Sequence, residues 1–103
     1  MQFDQRLRTP EIDRLFEAIM TLGSIEECHR FFQDLCTVTE IKTMAQRFRA
    51  AELLYGGAKY EEVAEATGMS SATISRIKRF INYGSDGYSM VIERLGQADD
   101  EGI

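Results

Sequence analysis

The residues best suited to chemistry lie in one stretch, Tyr60 to Asn82, where hydroxyl, small apolar and arginine side chains follow a single glycine. Placing Ile74, Ile77 and Ile81 inward at helical spacing turns Ala72, Ser75, Arg76 and Arg79 outward, with Thr73 and Lys78 on the flanks. Short side chains near a helix start, with bases farther along, suit a helix pushed end-on into a major groove. Ser71 and Ser75 can exchange hydrogen bonds with base edges, Ala72 can touch a thymine methyl, and Arg79 can reach guanine or a phosphate. Ser70 or Ser71 caps the helix, and Thr73 with the cap N–H groups would hold a phosphate.

A face of that kind needs an element to hold it. A helix-turn-helix requires a small residue where its helices touch, a glycine able to take positive φ in the turn, and branched apolar residues anchoring the second helix. Ala64, Gly68, Ile74 and Ile77 meet those demands in order, with Val63 and Met69 as further core contacts. The plain alternative is a helical hairpin with a glycine between its helices.

Other chemistry finds little support. The lone His29 sits in an amphipathic segment at a surface or boundary position, and no Ser-His-Asp or metal constellation accompanies it. The chain therefore reads as no enzyme. Cys28 and Cys36 cannot assemble a four-ligand zinc site with one histidine. They are expected to pack as small hydrophobes in a reducing, cytoplasmic setting.

The 103 residues carry a formal charge of -5, with 44% apolar residues and one proline. This predicts a single domain over residues 1–95 with a small core that an oligomer would enlarge. The charge is unevenly spread. Residues 1–40 hold four bases against eight acids, residues 41–83 seven against four, and residues 84–103 one against five. A segment of net +3 thus lies between two of net -4, and such asymmetry can mark an interaction surface. No apolar run approaches the roughly 20 residues needed to span a bilayer, and the first residues lack the basic and apolar regions of a signal peptide.

The remaining chain reads as helices. Thr9-Pro10-Glu11 opens one whose apolar face runs from Ile12 to Leu22, with Gly23 as its stop. Capping boxes at Ser24–Glu27 and Thr37–Glu40 open two more, the latter continuing to Gly56-Gly57 over about 27 Å. Tyr88, Val91, Ile92 and Leu95 mark a short last helix before Gly96. Residues 96–103, polar and acidic, are predicted to be a disordered tail. The fold class is all-α with six helices.

The phrases Leu35–Glu40, Ala45–Arg49, Thr67–Arg76 and Asn82-Tyr83-Gly84, with the Phe31-Phe32 region, resemble the Trp repressor superfamily, in particular its YerC-type TrpR-like branch. The resemblance implies a bacterial transcription regulator, a repressor, built as an intertwined homodimer of six-helix subunits with helices interlocking across the subunits. Two recognition helices would address a pseudo-palindromic site on double-stranded DNA. The family's base-reading positions fall on Ser71, Ala72 and Ser75, and a phosphate contact on Thr73. Of its tryptophan pocket, the two clasping arginines fall on Arg47 and Arg76 and a threonine on Thr37. The pocket's glycine and serine are replaced by Ile77 and Phe80, whose bulk is expected to fill the indole slot, so that no tryptophan cofactor is needed. Another small ligand stays open, and Arg47 alone reads equally as a surface ion pair.

The alternative function is a helical protein–protein adaptor of the transcription machinery, docking through the same helix pair or through Phe31 and Phe32. Those two phenylalanines read more naturally as core.

Overall fold

The computed structural model describes residues 4–101, with side chains through Asp99. After a 3-10 turn at Gln5–Leu7 come α1 (Pro10–Ile19), α2 (Ile25–Leu35), α3 (Val38–Tyr55), α4 (Tyr60–Thr67), α5 (Ser71–Tyr83) and α6 (Gly87–Glu101). The chain is all-α, and no strand occurs among the described residues.

Local hydrogen bonds explain where the helices start. Thr9 Oγ1 accepts the Ile12 N–H at 3.2 Å, and Ser24 Oγ accepts that of Glu27 at 3.1 Å. The Glu27 carboxylate reaches one residue farther back than a capping box requires, accepting from the Gly23 N–H at 2.7 Å. At α3 the box is reciprocal. Thr37 Oγ1 accepts from the Glu40 N–H at 3.1 Å, and Glu40 accepts from the Thr37 N–H at 2.7 Å. The Thr37 backbone N–H at the Glu40 carboxylate holds its carboxyl below the ordinary pKa, with the Thr37 side chain adding to the effect.

Helix α1 stops at Ile19, short of the Gly23 expected from its apolar pattern. The Thr21 and Leu22 N–H groups turn to the carbonyls of Ala18 and Ile19, three residues back, and the Thr21 hydroxyl also donates to the Ala18 carbonyl. That competition ends the i→i+4 ladder.

Where one domain is expected, the chain forms two compact units, Asp4–Met44 and the stretch from Ala45 onward, because the 18-residue α3 supplies its first half to one and its second half to the other. The first unit has no buried side chain among its described residues. Phe31 and Phe32 meet edge-on at 5.7 Å and are only half-buried. Cys28 is exposed and Cys36 half-buried, so the expected core role of the cysteines is not met: nothing within the unit covers that side of α2.

The second unit contains the core. Ala50, Ala51 and Leu54 of α3, Val63 of α4, and Ile74 and Ile77 of α5 are buried together, with Met69, Ile81, Tyr88 and Ile92 against them. Burying each of the larger aliphatic side chains contributes about 1.5–3 kcal/mol. The two alanines at 0% exposure leave room for close packing on the isoleucines.

Helix α6 runs through Gly96 to Glu101, where the sequence places a helix end and a disordered tail. One glycine costs a helix roughly 1 kcal/mol, too little to stop it when Gln97 and Ala98 follow. Gly102 and Ile103 lie outside the described residues.

Candidate nucleic-acid interface

The turn between α4 and α5 is fixed by three hydrogen bonds. Gly68 takes φ +73°, and its N–H donates to the Ala64 carbonyl at 2.8 Å. The Thr67 hydroxyl donates to the Val63 carbonyl at 2.7 Å and accepts from the Met69 N–H at 3.3 Å. A left-handed residue here closes α4 and lets the chain re-enter a helix after two residues.

Ser70, and not Ser71, is the cap of α5: its Oγ accepts the Thr73 N–H at 3.2 Å and lies 3.0 Å from the Thr73 hydroxyl. Ser71 is therefore the first helical residue and is exposed, as are Ala72, Ser75, Arg76 and Arg79. Thr73 and Lys78 are half-buried on the flanks, while Ile74 and Ile77 face the core at 0% and 3% exposure. The helix thus presents two short hydroxyls and a methyl at its N-terminal end and two guanidiniums farther along. A face of this kind can hydrogen-bond base edges and phosphate oxygens.

The distribution of ion pairs sharpens the picture. Arg6 pairs with Asp4, Arg8 with Asp13, Arg14 with Glu17 and Arg30 with Glu26. Every arginine before residue 41 is so engaged. Among the described residues no ion pair involves Lys42, Arg47, Arg49, Lys59, Arg76, Lys78 or Arg79, the bases of the central segment.

The proposed ligand positions are divided between the two units. Arg47 and Arg76 are both exposed in the second unit. Thr37 belongs to the first unit, where its hydroxyl and N–H are taken by Glu40. Ile77 enters the core, as its bulk predicts, but Phe80 does not fill a slot: it is 56% exposed. It edges an open groove of about 540 Å³ with Phe48, Ser85, Gly87, Tyr88 and Val91. The rings of Phe48 and Tyr88 stand 6.5 Å apart in that groove. Nothing in the local pattern of the sequence announces it, since its walls come from three helices. The Tyr55 hydroxyl bond to Glu93 at 2.9 Å, across 38 residues, was likewise illegible.

Comparison with known proteins adds to this geometry. Residues 10–96 match the family model described as Trp repressor protein. The chain is 48% identical over 101 residues to the uncharacterized protein YerC of Bacillus subtilis, an alignment covering 98% of this chain and 96% of that protein. It is also similar to a solved TrpR like protein from Eubacterium eligens, with a TM-score of 0.86, 46% identity, and coverage of 90% of this chain and 96% of the other.

Proposed function

The chain belongs to the Trp repressor family, and from that premise we propose that it is a sequence-specific, double-stranded-DNA-binding regulator of transcription that acts as a homodimer. Members of this family are transcription regulators and not enzymes, which places the chain outside catalysis. No helix among the described residues is long and apolar enough to cross a membrane.

In this reading α5 enters the major groove by its N-terminus. Ser71, Ala72 and Ser75 address base edges, and Arg76 and Arg79 reach phosphate or guanine. Thr73 contributes to a phosphate contact with the first N–H groups of α5, while Ser70 holds the helix start. The carrying observation is the exposed face of α5, whose bases have no ion-pair partner among the described residues, in a chain that pairs every N-terminal arginine. Tryptophan is not the corepressor, a reading supported by the burial of Ile77 where the family has glycine. The dimer is supported by the first unit, which has no fully buried side chain among its described residues.

Anisotropy titrations of a labelled duplex against salt test this reading. DNA binding should weaken steeply as salt rises, and Arg76→Ala and Arg79→Ala should each reduce the log–log slope by about 1. Slopes unchanged in both variants would remove α5 from the interface.

A further inference from the structure

The helix-turn-helix is joined to the rest of its unit by two short turns, each containing a left-handed residue. The chain enters from α3 through Gly57 at φ +96° and leaves for α6 through Asp86 at φ +65°. Beyond the two turns, Tyr55 at the end of α3 donates its hydroxyl to Glu93 of α6 at 2.9 Å, closing a span of 38 residues that holds both α4 and α5. The bond to Glu93, then desolvation and the charge of Glu93, hold the Tyr55 hydroxyl above its ordinary pKa, so it stays a donor at neutral pH. A second contact joins the same two helices. The ring of Phe48, seven residues before Tyr55, lies 6.5 Å from that of Tyr88, five residues before Glu93.

We propose that Tyr55 and Glu93 are positioning residues for DNA recognition: their bond clasps the base of the helix-turn-helix and fixes the angle at which α5 is presented. The inference rests on the DNA-binding reading above. Tyr88 and Ile92 of α6 pack against the core that holds Ile74 and Ile77 of α5, and α5 also packs on α6 directly, so a tilt of α6 on α3 is passed to α5. A single contact between two helices leaves a pivot, and a second one about 10 Å along α3 removes it. Apolar packing has no preferred direction, whereas a hydrogen bond has, so the polar clasp selects one tilt among those the core tolerates. Base contacts from short side chains such as Ser71 and Ser75 need close distances and angles, and a small tilt breaks them. Attraction between bases and phosphates tolerates the same tilt. The clasp therefore acts on specific binding and spares non-specific binding. Both side chains are exposed, so water competes for the bond, and its effect is a bias on the angle of α5.

The test titrates the full-length chain and its variants by anisotropy against a duplex selected by the wild type and against a random-sequence duplex. Tyr55→Phe keeps the ring and the charge but loses the donor. Its ratio of cognate to random affinity should fall about two- to fivefold, the low end of what one hydrogen bond supplies, with random-duplex affinity unchanged. Glu93→Gln removes a charge but keeps an oxygen for the Tyr55 hydroxyl, so any rise should be shared by both affinities and the ratio should stay as in the wild type. Glu93→Ala should lower the ratio as Tyr55→Phe does, and Tyr55→Phe/Glu93→Ala should lower it no further, because both changes remove the same bond. A merely structural loss would reduce both affinities alike and leave the ratio where it was. A wild type that binds no duplex, or all duplexes alike, would overturn the DNA reading and this inference with it. A wild type that binds selectively, with an unchanged ratio in Tyr55→Phe or additive losses in the double variant, would overturn this inference alone.

Discussion

At Ile77 and Phe80, one helical turn apart, two bulky residues have opposite fates. Ile77 is locked among Ala50, Ala51, Leu54 and Val63, whereas Phe80 stands largely in the open. Substituting bulk for glycine and serine was readable from the resemblance, but only the packing shows that one side chain joins the core and the other borders a groove. The core role of Ile77 is what speaks against an indole there, since close-packed interiors do not open for a ring without displacing their own side chains. Isothermal calorimetry with L-tryptophan should show no saturable binding in the micromolar range; a saturable isotherm would restore tryptophan as ligand. The outward residues of α5 follow from the isoleucine spacing alone and fall as expected. The choice between Ser70 and Ser71 as cap did not, because adjacent serines offer the same hydroxyl and only the bond to the Thr73 N–H separates them. Cys28 was misjudged because composition predicts burial from residue type, while burial depends on what covers the helix face.

At the scale of elements, capping chemistry was the most legible signal, since a hydroxyl cap and the N–H it accepts lie three residues apart, as at Thr9, Ser24 and Thr37. Thr37–Glu40 lies at the start of α3. Its folded-state pKa lies below the ordinary 4.5 of a glutamate because Glu40 accepts from Thr37. The bond from Thr37 therefore stabilises the helix start above the unfolded pKa, and that contribution is lost as pH falls through the lowered folded value. The amide resonance of Thr37, followed by NMR through acid titration, should therefore move with a midpoint below 4.5. A midpoint at or above that value would place the Glu40 carboxylate in water. Helix ends were read less well. The end of α1 is set by the competing Thr21 hydroxyl, and that of α6 was assigned to Gly96 because a single glycine was given more weight than its small propensity cost allows.

At the scale of the molecule, the chain's two units differ in what they can sustain alone. The stretch from Ala45 onward has a core; Asp4–Met44 leaves Met20, Ile25, Phe16 and Leu35 between 48% and 83% exposed. Covering such side chains is worth about 1.5–3 kcal/mol each, which a second copy can supply. Sedimentation equilibrium should give twice the 11.7 kDa of one chain. Ile25→Asp together with Phe16→Asp should shift it toward the monomer and weaken duplex binding; a wild-type monomer at micromolar concentration would contradict the dimer. The sequence shows the surplus of apolar helix faces but not what would cover them, since a contact with a second copy would leave no spacing within one chain. The overall charge of -5 obscures the basic segment in the same way, for it averages a basic centre with acidic ends. The claim that α5 reads DNA is tested most directly by selecting bound duplexes from random sequence with the purified full-length chain. One motif with two-fold symmetry should be enriched, its half-sites about 10 base pairs apart, and that enrichment should be lost in the Arg76→Ala/Arg79→Ala variant. A selected pool no different from the input, or a motif that survives the double substitution, would contradict it.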